Sequence, residues 1–341
     1  MKKKIIGIMI ATLLIATAVL PAIGIENSSY VDIKPFFNGA DTISIDDNVP
    51  VWEVGDKWIY EVKHFGFDFE GQTSMNIHLE ADDLTLEVVD VNEDSYRLEF
   101  KTQLAGDIGI ELSVIPIEIE GKLGKILGTT IEGEVSIRKS DLAIEEISIK
   151  ASGILKAKIS LQSIPFPILN APIPFETSLN TNFDNPITIF DFPLSVEKMW
   201  GWPSMNVSVD GEIKSIWLNI VNFVNKIAEF LNMGFIPSRL AKLLPVIDIG
   251  DTLEEYAGGN IIKIDSSFWY DLPLFGVASK EDITVKAGTY SAYNITIPGG
   301  LGSFYYSPET GNIIKISLSK EQSLFPVFPE LNMELKETNY I

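Results

Sequence analysis

The chain has 341 residues and carries 47 Asp and Glu against 26 Lys and Arg, a net charge of −21. Such a surface repels phosphate backbones and anionic bilayers, which sets aside nucleic acid as a partner and an anionic membrane as an electrostatic target. The absence of cysteine removes disulfides, zinc–thiolate sites, a cysteine nucleophile and a lipoprotein anchor, while an apolar content of 46% suits a folded chain large enough to need no staples.

Residues 1–24 have the layout of a secretory signal peptide. Lys2, Lys3 and Lys4 precede an apolar run from Ile5 to Leu20, Pro21 ends it, and Ala22-Ile23-Gly24 offers small residues for cleavage. The run is short for a bilayer span, which takes about 20 residues; an uncleaved anchor is the alternative. Residues 25–50 are polar and rich in Asp, Asn and Ser, and are expected to be a flexible linker before a single extracytoplasmic domain over 51–341.

Strands dominate from there. Trp58, Tyr60 and Val62 alternate with Glu61 and Lys63; the phase slips near His64 and Gly66, where Phe65, Phe67 and Phe69 take over, and a β-bulge is the simplest cause. A hairpin is predicted over Leu84–Phe100, turning at residues 90–94. Ile110, Leu112 and Val114 alternate, and Ile115, Ile117 and Ile119 resume in the opposite phase. Ile131–Ile137 and Leu142–Ile149 form a further pair, and Leu155, Ala157, Ile159 and Leu161 follow with lysines opposite. Pro165, Pro167, Pro172, Pro174, Pro186 and Pro193 then interrupt an apolar stretch. Proline removes ladder donors, so this stretch is expected at an edge or on the surface.

The period changes at Ile213. Ile213, Ile216, Trp217, Ile220, Phe223, Val224, Ile227, Phe230 and Leu231 recur at three and four residues, which predicts an amphipathic helix ended by Gly234. A short second helix is expected from Ser238 to Leu244, giving a helical insertion near 212–256. Three readings stay open: packing on the core, a lid over a ligand cavity with Trp217, Ile220, Phe223, Ile227 and Phe230 facing the ligand, or a membrane-surface helix. The scarcity of Lys and Arg on the polar face weighs against the last. Strands resume over Ile261–Tyr270, Asp282–Lys286, Thr289–Ile297, Phe304–Tyr306 and Asn312–Leu318, with a final strand through Leu331, Met333 and Leu335.

No pattern nominates catalysis. The two histidines, His64 and His78, lie outside any nucleophile or zinc-protease motif. Asp90, Asn92 and Asp94 begin like a calcium loop, but Ser95 and Lys101 stand where a glycine and a bidentate glutamate belong, so a hairpin turn is expected. Asp248, Asp251, Glu254 and Glu255 are read as helix-capping rather than cation-binding. Sequons at Asn27, Asn206 and Asn294 agree with export and carry no more than that. No metal or cofactor is expected.

Two stretches carry a resemblance. One contains Trp52, Gly55, Asp56, Trp58 and Tyr60; the other runs from Val285 through Gly288, Tyr305, Tyr306, Pro308 and Gly311 to Lys315. Together they resemble uncharacterised exported prokaryotic proteins, largely archaeal, which are in turn similar to the lipoprotein-carrier type of open β-barrel. The resemblance implies a curved antiparallel sheet, plugged by helices, that holds acyl chains; it brings across no catalytic residue. It covers the two ends of the domain, and the residues that carry it read as structural.

The fold class expected is therefore mainly β: a strongly curved antiparallel sheet, open-barrel or sandwich-like, with one helical insertion. The function expected is that of an exported, non-catalytic protein, secreted or at the cell surface and membrane-attached only through a retained N-terminal segment. Two roles remain: holding a lipid or other hydrophobic ligand in an apolar cavity, or serving as a cell-surface structural or interaction module with a filled core.

Overall fold

The structure, a computed structural model, describes residues 49–69, 73–112, 117–124, 128–161, 167, 169–201, 205–215, 261–270, 274–297, 302–319 and 330–340. Among them the chain is mainly strand, with no helix. The alternating pattern explains this directly: over Ser95–Gln103 every second residue is buried, placing Tyr96, Leu98, Phe100 and Thr102 on the inner face.

The strands run antiparallel in one sheet, mostly in chain order. β1 (Lys57–Phe69) pairs with β2 (Thr73–Val91), and β2 is long enough for two partners, β3 (Ser95–Gln103) on its second half and β4 (Ala105–Leu112) on its first. β5 (Ile117–Leu123) and β6 (Thr130–Arg138) divide the next long strand, β7 (Ile144–Leu161), in the same way. β8 (Leu169–Ile187) follows, then β9 (Met199–Gly201), β10 (Met205–Ser215), β11 (Ile261–Tyr270) and β12 (Leu274–Val285). β13 (Gly288–Ile297), β14 (Gly302–Ser307), β15 (Asn312–Leu318) and β16 (Glu330–Thr338) lead back to β1. The β9–β12 ladder pairs Gly201 with Leu274 and the β10–β11 ladder pairs Met205 with Tyr270; the ring-like sheet has its two ends at β9 and β11, with no pairing between them among the described residues.

The phase slip expected near His64 is present. β1 shifts register against β16 between Val62 and His64, and against β2 between Val62 and Phe65, so Phe65 replaces Val62 on the buried side. The final third also follows the sequence, β11 covering the predicted Ile261–Tyr270.

Two expectations are corrected and one holds in part. The proline-bearing ends of β8 lie where only one side is paired, as expected of an edge, but its middle is paired with β7 on one side and β10 on the other. Pairing with β10 spans only Phe175–Phe183, and Pro172, Pro174 and Pro186 fall outside it, where a missing donor breaks no ladder on that side. The helix expected from Ile213 does not start there, because Ile213 and Lys214 lie in β10 opposite Ile262 and Ile261. The rest of that helical stripe lies outside the described residues, as do the signal segment and the linker as far as residue 48. The folded unit also begins earlier than Val51: Pro50 is buried and Val49 packs against the core.

The connection over residues 188–198, between β8 and β9, turns into the ring. Ile189, Phe190 and Leu194 are buried there, Phe190 lying 4.8 Å from Tyr306 and 5.9 Å from Phe304 between ring centroids. Phe275 meets Phe304 edge-on at 6.0 Å. Each such pair adds about 0.5–1.5 kcal/mol beyond its area, so this connection acts as an interior plug.

Candidate functional site: an apolar cavity beneath the terminal seam

The two motif-bearing ends of the domain meet. Trp58 on β1 is fully buried, and its Nε1–H donates to the Thr310 carbonyl at 2.8 Å. Trp52 Nε1–H donates to the Gly311 carbonyl at 3.1 Å, and Tyr60 donates its hydroxyl to the Ile313 carbonyl at 2.9 Å. Burial pushes the Tyr60 phenol far above its ordinary range, so it stays a neutral donor. Trp52 also stacks obliquely on Trp58 at 5.2 Å and on Tyr96 at 5.1 Å, while Tyr96 offers its hydroxyl oxygen to the Trp52 amide at 3.2 Å.

Turn chemistry holds both partners of this seam. Gly55 adopts φ +97° as its N–H reaches the Val88 carbonyl, and Asp56 accepts from the Glu53 amide at 2.7 Å. Gly311 adopts φ +60°, bonded to the Pro308 carbonyl, and a Cβ there would meet the Tyr340 ring at 2.7 Å. Gly288 follows the turn between β12 and β13, where the Ala287 amide bonds Leu335 of β16. Tyr306 packs on Phe190, and Lys315 lies over the Tyr305 ring at 5.7 Å. Trp52, Trp58 and Tyr60 of the first stretch are thus locked onto the Thr310–Ile313 backbone of the second.

Under that lock is a cavity of about 130 Å³. Its lining is apolar on nearly every side: Tyr60, Val62 and Phe65 from β1, Leu79, Ala81, Leu84 and Leu86 from β2, Phe100 from β3, Val135 and Ile137 from β6, Ile313 and Ile316 from β15, Leu331 and Met333 from β16, and Phe190 from the plug. Trp52 and Leu142 lie at the end closed by the seam and the β6–β7 turn. Glu80 is the only ionisable acid or base of the Asp, Glu, Lys, Arg and His types in the lining, and it is exposed.

Two of the lining residues carry a side-chain atom with no hydrogen-bond partner among the described residues, the Thr102 hydroxyl and the Asn312 amide nitrogen, and both atoms are buried away from the open space. Thr102 is 4% exposed. The other end of the Asn312 side chain is already engaged, its Oδ1 accepting from the Ile313 amide at 2.8 Å.

The turn that presents Leu142 is held from outside. Leu142 adopts φ +56°, a left-handed conformation that costs a non-glycine residue about 1–2 kcal/mol. Arg138 forks onto Asp141 at 2.9 and 2.6 Å, and Asp141 also accepts from the Ala143 amide at 3.1 Å. Partial burial pushes the Asp141 carboxyl up, but the bonds from Arg138 and Ala143 outweigh it and hold the group below its ordinary 3.8. A carboxylate held down in the folded state stabilises above its ordinary pKa, and that contribution is lost as pH falls through the folded value. Asp141→Asn is therefore expected to lower stability by about 0.5–1 kcal/mol at neutral pH, the scale of a partly exposed pair. In urea titrations the deficit should close as the pH drops below 3.8; a deficit independent of pH would remove the charge from the explanation.

The residues singled out for chemistry fall elsewhere. His64 and His78 stack at 5.5 Å, His78 exposed and His64 Nε2 lying 3.2 Å from the Glu330 carboxylate. Asn92 and Asp94 lie in the β2–β3 turn, closed by the Asn92 amide bonding Ser95, while Asp90 is on β2 opposite Arg97. No group of three or more His, Asp or Glu among the described residues is placed to hold a metal ion. Asn206 and Asn294 both donate from their amides, to Asp184 at 2.7 Å and Glu281 at 3.3 Å. Trp217, Ile220, Phe223, Ile227, Phe230 and the acidic group at Asp248, Asp251, Glu254 and Glu255 lie outside the described residues. The sequence reading missed the cavity lining apart from Trp52 and Tyr60, which it took as structural. No residue pattern in the sequence marks it out.

Fold and site together define a ring-like antiparallel β-protein with a small, part-open apolar cavity. No family model, curated protein or solved structure matches the chain.

Proposed function

We propose that this chain is an exported, non-catalytic protein that holds a hydrophobic ligand inside its ring. The observation that carries this reading is the apolar cavity beneath the Trp52–Trp58 seam. Its volume of about 130 Å³ is close to that of dry cavities that take one benzene, about 150 Å³. It falls short of the roughly 300–1,000 Å³ of drug-sized pockets. A compact molecule or the end of one chain fits; a whole two-chain lipid does not fit within the described walls. The second reading, a surface module without a ligand, draws support from the plug at residues 188–198, which buries Ile189, Phe190 and Leu194.

Protein produced from the full-length chain and purified without detergent separates the two by native mass spectrometry followed by organic extraction. A reproducible mass increment that extracts as an apolar molecule is the expected result. A bare polypeptide mass that stays bare after incubation with lipid vesicles and with small aromatics overturns ligand binding and leaves the surface module.

A further inference from the structure

We infer that the outer edge of β11 is an interface between two copies of this chain, joined as an antiparallel pair about a two-fold axis at Ile264. β11 is one end of the sheet: its residues pair with β10 from Ile261 to Tyr270, and no strand occupies its other side among the described residues. At about 3.3 Å per residue, this leaves roughly 33 Å of edge. Edges that must stay single are blunted by proline, by a bulge or by charge. β11 has no proline, its register against β10 is unbroken, and Lys263 and Asp265, of opposite sign, are its only charged residues. Such an edge suits the addition of a further strand.

Charge names a second copy as that strand. In the β10–β11 ladder Lys263 stands opposite Glu212, but Asp265 stands opposite Asp210, and like charges directly opposite destabilise a pair. A cation on the far side of Asp265 offsets this. An antiparallel pair of identical strands has its two-fold axis at one residue, and centring it at Ile264 sets Lys263 of each copy opposite Asp265 of the other. Centring it at Lys263 or at Asp265 opposes like charges instead, so the charges select the register. The contact uses the same surface on both copies and closes as a dimer. Backbone bonds along both strands supply its strength, and the two ion pairs fix the alignment. The net charge of −21 opposes association. At physiological salt, however, exposed charges more than about 8 Å apart are largely screened, whereas directly opposed positions are closer than that.

The absence of cysteine makes the test direct. Protein produced from the full-length chain is expected to show a monomer–dimer equilibrium in sedimentation velocity between about 1 μM and 1 mM. Ile264→Cys places two thiols opposite each other, with Cα atoms about 4.5–5.5 Å apart and so within disulfide range; mild oxidation should link most of the dimer covalently. Ile262→Cys, which falls opposite Ser266 of the other copy, should link far less. Asp265→Lys removes the opposition to Asp210 within one copy and sets like charges against Lys263 of the other. It should weaken the dimer at least about tenfold without lowering the unfolding midpoint, and adding Lys263→Asp should restore dimerisation. A chain that stays monomeric over the whole range overturns the inference, as does a dimer unchanged by Asp265→Lys. Equal linking by Ile262→Cys and Ile264→Cys overturns the register.

Discussion

Trp58→Ala is expected to cost about 3–5 kcal/mol of unfolding free energy, the range for truncating a fully buried aromatic. That is a large share of the roughly 5–15 kcal/mol that holds a domain together. The size follows from what the indole does. It fills the space between Trp52 and Tyr340, with ring centroids 5.2 and 5.9 Å away, and its N–H satisfies the Thr310 carbonyl at 2.8 Å. Alanine leaves a void beside Trp52, a carbonyl without its donor, and a loosened cavity end. Trp58→Phe keeps most of the volume and removes only the donor, so it should cost about 1–3 kcal/mol. Denaturant unfolding followed by circular dichroism measures both. A loss under about 1 kcal/mol for Trp58→Ala would show that the seam contributes little to joining the two ends of the domain.

Ending the chain after residue 329 should be more severe. β16 pairs with β1 on one side and β15 on the other, and brings Leu331 and Leu335 into the core. Thr338 and Asn339 tie it further: the Thr338 hydroxyl donates to the Lys57 carbonyl at 2.9 Å, and Asn339 accepts from the Lys57 amide at 2.7 Å. Without β16, two strand edges lie open and flanked by apolar side chains, an arrangement prone to edge-to-edge association. The expected product is an aggregating chain with no cooperative unfolding transition. A peptide of residues 330–341 added during refolding should restore soluble protein by taking the vacant place in the sheet. A truncated chain that unfolds cooperatively near the wild-type midpoint would mean the remaining strands suffice.

Most strands were legible because one face of each is buried and the other wet. β3, with Tyr96, Leu98 and Phe100 inward and Arg97, Glu99 and Lys101 outward, shows the period plainly. The slip at His64 was legible because Val62 and Phe65 cannot share a face in regular alternation. Pairing was less so. Pro172 and Pro174 argued for an edge, and nothing local revealed that β10 would pair only with Phe175–Phe183. The strand character of Ile213 was hidden because its side chain also fits the helical spacing of the residues that follow. The site was the least legible part. Its walls come from strands far apart in sequence, and the side chains that line it are of the same types that fill a core. Unpaired buried hydroxyls occur at Thr129, Thr177 and Thr181, outside the lining, as well as at Thr102, so they do not mark a chamber off from ordinary packing.

The pairing of β1 with β16 also fixes when the molecule can fold. Trp58 lies opposite Thr338, and Trp52 bonds a carbonyl 259 residues further along the chain. Contacts so distant in sequence make for slow folding, and no earlier strand can stand in for β16. The places beside β1 and β15 stay empty until β16 has emerged from whatever machinery delivers it. During that wait, the long hairpins from β2 to β8 have formed neighbours while β1 has only one. The interval before closure is when the chain is most exposed to self-association, and it ends with the arrival of the C-terminal strand.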